Sequence, residues 1–262
     1  MVFKRMMQAL GVGGPSVETV LANPDARPGG HLEGQVHVVG GDHPVEIEYV
    51  ALGLVTRVEV ESGDSEYDTT QEFGRQRLTS PFRLESGARH DIPFRFEVPF
   101  ETPITDLYGQ HLRGMTMGLR TELEVARAVD KSDLDAVAVH PVPAQERILD
   151  ALVRLGFRFT RADVERGRIH GVQQTLPFYQ EIEFYPAPQY ARAINQLELT
   201  FVGTPQQLQV VLEIDKRGGL LTEGRDAFGR FTVDYAEAER TDWTAQLDGW
   251  LRQSVQKRGL FL

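Results

Sequence analysis

Strict alternation of apolar and polar side chains, broken at short intervals by glycine and proline, most limits what this chain can fold into. Successive side chains of a strand point to opposite faces, so a period of two sends one set to a core and the other to water. Leu32, Gly34, Val36 and Val38 alternate with Glu33, Gln35 and His37 after the turn signal Pro28-Gly29-Gly30. Val45, Ile47 and Tyr49 alternate with Glu46 and Glu48, and from Val50 the apolar set continues at Leu52, Leu54, Val58 and Val60. That change of parity predicts a β-bulge near Tyr49–Val50, with two separate strands as the other reading. Ile92, Phe94, Phe96 and Val98 form another run. Pro93 places it at a sheet edge, or starts the strand just after itself, because proline cannot donate to a ladder. Met117, Leu119, Leu123, Val125 and Val129 predict a further long strand, and Val137 and Val139 close the first half.

The pattern changes after Pro141 and Pro143. Ile148, Leu149, Leu152, Val153 and Leu155 fall at helical spacing, proline suits a first turn, and Gly156 suits the left-handed residue beyond a helix end. These signals predict a linker helix over about 143–155. Alternation then resumes at Phe157 and Phe159, Ile182 and Phe184, Leu197 to Phe201, Leu208 to Ile214, and Phe231 to Tyr235, with turns at Pro186, Pro188, Pro205 and Gly218-Gly219. Many short strands with regular turns predict an all-β protein of sandwich type. The division is an N-terminal domain over 1–142 and a C-terminal one over 143–262.

A second helix is predicted over about 242–256. Trp243, Leu247, Trp250, Leu251 and Val255 make a narrow apolar stripe, with Thr241 as its cap and Asp242 favourable in the first turn. Trp243, Leu247, Trp250 and Leu251 are the candidate site residues: a stripe that docks on its own domain, or anchors a partner or second copy, since tryptophan is enriched at interface centres. The apolar tail Leu260-Phe261-Leu262 follows it.

Composition narrows the function classes. The 262-residue chain has no cysteine, which removes disulfides, thiolate nucleophiles and cysteine zinc sites, and fits a reducing compartment. A formal net charge of −10 repels phosphate backbones and anionic membranes. The pairs Lys4-Arg5, Lys216-Arg217 and Lys257-Arg258 read as solvated ends and turns. No apolar run approaches the ~20 residues that span a bilayer, and the start shows no signal peptide. The expectation is a cytoplasmic protein that binds neither nucleic acid nor membrane.

With the strands placed, a family resemblance appears. Phe3-Lys4-Arg5-Met6 through Gly11-Val12-Gly13, the Pro28-Gly29-Gly30 turn, the strand from Leu32 to Gly41, and the segment from Ile148 to Phe157 resemble the SpoOM sporulation-control family of bacteria. The run from Ile92 to Pro99 is similar to the wider arrestin-like superfamily. The resemblance covers residues 1 to about 255 and rests on the order and spacing of turn-and-strand patterns. It implies two tandem arrestin-like sandwiches and a regulator of sporulation, development or cell division. It brings no catalytic residues.

The remaining candidates for chemistry read as structure. Gly11-Val12-Gly13-Gly14 lacks the preceding strand, following helix and acidic partner of a dinucleotide loop. His31, His37 and His43 share a parity but have no carboxylate at a diagnostic spacing for a metal. Asp64, Glu66 and Asp68 lack the full calcium-ligand series and read as a charged edge that discourages pairing. Glu213 and Asp215 lie on the polar side of a strand. The expectation is therefore a non-enzymatic regulatory scaffold that binds other proteins, without cofactor or metal, with homodimerisation also open to it. The alternative is a small-molecule or metal-binding module using the interdomain cleft.

Overall fold

The computed structural model describes residues 13–62, 65–216 and 227–256. Asp64, the Gly218-Gly219 turn, the basic pairs Lys4-Arg5 and Lys257-Arg258, Arg217 and the Leu260-Phe261-Leu262 tail lie outside the described residues. Chain order runs β1 (Ser16–Leu21), β2 (Asp25–Ala26), β3 (His31–Val39), β4 (Val45–Ser62), β5 (Ser65–Arg77), β6 (Phe82–Leu84) and β7 (Arg89–Glu97). Then come β8 (Asp106–Leu107), β9 (Gln110–His111), β10 (Met117–Val125), β11 (Lys131–Ala136) and β12 (Ala138–Val139). Helix α1 (Pro143–Arg154) precedes β13 (Arg158–Arg166), β14 (Phe178–Tyr185), β15 (Ile194–Gly203), β16 (Gln207–Lys216) and β17 (Ala227–Asp234), and helix α2 (Trp243–Gln256) follows them. The class is all-β, with one helix mid-chain and one near the C-terminus.

Two compact units divide the chain. The first holds Met1–Arg57, Thr70–Pro99 and Thr116–Val139, and the second holds Val58–Thr69, Phe100–Met115 and His140–Leu262. The last change of unit, between Val139 and His140, falls close to the sequence division at 142/143. The two earlier segments of the second unit are a difference from that division. Alternation reports which face a residue occupies, not which unit, and β4, at 18 residues, is long enough to serve in both.

The first unit is a sandwich. One sheet has the order β1-β3-β7, and the other is built on β11-β10-β4. Leu32, Val36, Val38 and Phe96 from one sheet and Leu52, Leu54, Leu119 and Leu123 from the other are fully buried. At about 1.5–3 kcal/mol per buried side chain of this size, such a set is the main stabilising term. Thr19 on β1 meets Thr121 on β10 at 2.5 Å between hydroxyls, and its amide donates to Asp133 on β11 at 2.7 Å. Pro93 lies on β7, the end strand of its sheet, as its missing donor requires. β4 is one strand with a bulge: Tyr49 pairs with Glu124 and Ile47 with Val125, leaving Glu48 as the extra residue. Val129 departs from the expected long strand. β10 ends at Val125, Arg127 takes a positive φ of 58°, and Val129 is exposed in the turn.

The second unit is built on an antiparallel sheet, β13-β14-β15-β16-β17, with the distal end of β4 paired parallel to β13 at Glu59 and Glu165. Its inner face carries Ile182, Phe184, Leu197, Leu199, Leu208, Val210, Leu212 and Ile214, all buried. Helix α1 ends as the sequence indicated, with Gly156 at φ +95° past the C-cap Leu155. Ile148, Leu149 and Leu152 are its buried stripe. The segment between β7 and β10 covers β14, where the Gln180 side-chain amide donates to the Ile104 carbonyl at 2.7 Å and its oxygen accepts from the Ile104 amide at 3.0 Å.

Candidate functional site

The C-terminal stripe is docked within its own unit. Trp243, Leu247 and Leu251 are buried, and Trp250 is half-buried. The Trp243 ring stacks on Phe231 of β17 at 5.6 Å between centroids, and its indole N–H donates to the Ala238 carbonyl at 2.9 Å. Trp250 lies over Gly229, where a Cβ would come within 2.3 Å of the indole. Only a glycine leaves room for that ring. The cap differs from the expected one. Asp242 accepts from the Ala245 amide at 3.0 Å, while the Thr241 hydroxyl donates to the Glu237 carbonyl at 3.1 Å. Tyr190 fixes the helix from outside the stripe, donating to the Asp248 carboxylate at 2.5 Å.

The histidines stay apart. His31 bonds Arg95 at 3.0 Å, and His37 bonds Asp91 at 2.6 Å. They sit six residues apart on β3, roughly 20 Å at strand rise, each held by its own cross-strand neighbours. Gly13 and Gly14 lead into β1, a strand, so the helix that a dinucleotide loop needs is not there.

The outer face of the second unit's sheet is the distinctive surface. Ladder register places Asp163 opposite Glu181, Glu198 opposite both Glu183 and Glu213, and Glu165 opposite Glu59. Strand alternation thus gathers carboxylates from five strands onto one side. Arg161 and Arg230 bring guanidiniums among them. The Arg161 Nε and Nη2 both reach Glu183 at 2.8 Å, and Nη2 reaches Asp163 at 3.4 Å. The Glu183 and Asp163 side chains are only 6% and 8% exposed.

A cavity of about 390 Å³ opens on this face. Glu181, Glu198 and Glu213 line it with Tyr179, Thr200 and Val211, and Ile169, His170 and Arg230 complete the wall. Burial, reinforced by Glu198, Asp163, Glu165 and Glu213, pushes the Glu181 carboxyl up to about 8. Burial also raises Asp163 to about 6, with Arg161 pulling it down and Glu183, Glu59 and Glu198 pushing it up. Tyr179 is raised by burial and by Glu181, and Glu59 by burial and by Glu66. The surface resists carrying its full negative charge, so it favours a proton or a cation.

Of the sequence candidates, Glu213 belongs to this surface, whereas Asp215 is engaged by Asn195 at 3.0 Å. Glu66 sits beside Glu59. Glu59, Asp163, Glu181, Glu183 and Glu198 were not singled out by sequence reasoning. Their signal was the polar half of each alternating run, where Glu recurs strand after strand.

Fold and site together define an all-β protein of two units with a carboxylate field on the second. Among the described residues no helix is long and apolar enough to cross a membrane. Comparison with known proteins supplies the family. The SpoOM protein family model matches residues 3–218. The sporulation-control protein spo0M of Bacillus subtilis (strain 168) is 34% identical over 216 residues, 82% of this chain and 81% of that protein. The crystal structure of Spo0M from Bacillus subtilis aligns with a TM-score of 0.80 at 30% identity, covering 92% of this chain and 99% of that one. The chain belongs to the SpoOM family.

Proposed function

We propose that this protein is a non-enzymatic cytoplasmic regulator that binds other proteins, holding a basic segment of its partner on the carboxylate face of the second unit. Kinship with a sporulation-control protein supports the regulatory role, in sporulation or a related developmental or division process. The observation that carries the binding mode is the cavity walled by Glu181, Glu198 and Glu213 beside Tyr179 and Val211. A lysine or arginine pairs an apolar stem with a charged head, and the cavity pairs apolar walls with carboxylates. An arriving cation also favours the ionised form of Glu181, whose acidity burial has suppressed. Binding energy is thereby stored in the free surface. The net charge of −10 supports a protein partner over nucleic acid. A second reading, favoured by a volume within the range of ligand pockets, is a small organic cation in the same cavity.

Carbodiimide crosslinking in the native cell tests the proposal, because it joins carboxylates directly to lysine amines. The expected result is a partner lysine linked to Glu181, Glu198 or Glu213, lost in the Glu181→Gln/Glu198→Gln/Glu213→Gln variant. A partner retained undiminished by that variant sinks the assignment of this face. A metabolite thermal-shift panel that finds a small-amine ligand, with no crosslinked protein, transfers the cavity to the second reading.

A further inference from the structure

Three carboxylates on the outer face form a group separate from the cavity wall. Glu59 on β4 is the register partner of Glu165 on β13, and Asp163 lies two residues earlier on the same side of β13. One oxygen from each lies within 4.8 Å of the others. Asp163 makes this more than a crowd of acids. Its side chain is 8% exposed, and its Oδ1 is buried with no hydrogen-bond partner. Arg161 does not satisfy that oxygen. Its guanidinium binds Glu183 at 2.8 Å and approaches the other Asp163 oxygen, Oδ2, at 3.4 Å.

We propose that Glu59, Asp163 and Glu165 form a binding site for a hard divalent cation of calcium's size. The donors are all carboxylate oxygens, which select hard cations over zinc or copper. Calcium takes about six to eight oxygen ligands in flexible geometry, whereas magnesium demands near-ideal octahedral geometry and keeps several of its waters. The three ligands sit on two strands whose spacing is fixed by pairing, so the site is held before an ion arrives. Water fills the remaining coordination positions, and the buried Asp163 carboxylate, whose Oδ1 has no hydrogen-bond partner, gains a cation beside it. This inference does not depend on the partner reading, because none of the three residues lines the cavity. It differs from the sequence expectation of no metal, which rested on the absence of cysteine, on histidine spacing and on the run around Glu66. The trio is assembled by pairing of strands far apart in sequence, where spacing along the chain carries no signal.

Isothermal titration of the chelator-stripped full chain with CaCl2 tests it. The expected result is saturable one-site binding with a dissociation constant of ~10⁻⁵–10⁻³ M, weakened at least about tenfold by Asp163→Asn and by Glu165→Gln. Glu165→Gln changes a residue that is not fully buried, so it carries the test if Asp163→Asn does not fold. Glu122→Gln, in the other acidic trio with Glu124 and Asp130, should leave binding unchanged. MgCl2 should bind more weakly than CaCl2. The proposal is overturned by the lack of saturable heat up to about 10 mM, by binding that survives both Asp163→Asn and Glu165→Gln, or by binding lost in Glu122→Gln. Magnesium binding as tight as calcium overturns the size assignment.

Discussion

The outer sheet faces of the two units are built from the same residue types and differ in how their charges are balanced. In the first unit Arg75 on β5 reaches Glu72 at 2.7 Å and Glu122 at 2.8 Å. Tyr49 donates toward Glu122 at 3.3 Å, and Arg77 stacks over the Tyr49 ring at 4.7 Å. Hydrogen bonding from Arg75 holds the Glu122 carboxyl below its usual range. In the second unit burial and neighbouring carboxylates push Glu181 to about 8. Arg75 thus compensates Glu72 and Glu122 on the first face, while burial, Asp130 and Glu122 still raise Glu124 there. On the other face the raised Glu181 costs stability near neutral pH, a cost that a cation beside it would offset. A surface left destabilised in this way is where binding is expected, since functional sites commonly carry strongly shifted groups.

The largest expected effect comes from the inner face of the second unit, which both readings of the outer face require to be intact. Trp243→Ala removes the ring stacked on Phe231 and should destabilise by about 3–5 kcal/mol in urea unfolding. Little change would mean the helix is not part of the folded unit. Next comes Arg161→Ala, which strands Glu183 and Asp163, at 6% and 8% side-chain exposure, beside further carboxylates. A loss of about 2–3 kcal/mol is expected, discounted because the arginine itself is half exposed. Arg75→Ala in the better-solvated network of the first unit should cost only about 1 kcal/mol. Equal costs would erase the comparison.

The acid residues should show opposite signs. The Glu181 pKa is raised in the folded state, so its contribution is full below its usual 4.5 and is lost as pH climbs toward about 8. Glu181→Gln should therefore stabilise the protein near neutral pH, by about 1–2 kcal/mol, and flatten the stability profile between those limits. Glu122 is shifted down, so its contribution is present above its usual range and lost as pH falls. Glu122→Gln should destabilise near neutrality by about 0.5–1 kcal/mol. Melting curves across that pH range check both signs.

Much of the fold was legible because burial on one face writes itself into sequence as alternation. The parity change at Val50 located the β4 bulge to within two residues, Pro93 marked an edge, and Pro143 with Gly156 bounded α1. The failures have physical causes. Val129 continues the apolar parity of β10 but lies beyond a turn held by Asp130, whose carboxylate accepts from the Val125 amide at 3.2 Å. Both Thr241 and Asp242 are good caps, and which one caps depends on Thr241 already being bound to Glu237. The carboxylate field was the least legible part. A glutamate on the polar side of a strand looks solvated wherever it occurs. Whether Glu59, Glu181, Glu198 and Glu213 converge is decided by strand order and register, which no single run encodes.

The central claim is that burial and neighbouring carboxylates hold Glu181 on the second unit's outer face high, while Arg75 holds Glu122 on the first unit's low. Carboxyl-carbon NMR titration of Glu181 and Glu122 in the full chain tests it most directly. The account predicts that Glu181 titrates near pH 8 and Glu122 below the usual glutamate range. Both carboxyls titrating together at the ordinary glutamate value would contradict it.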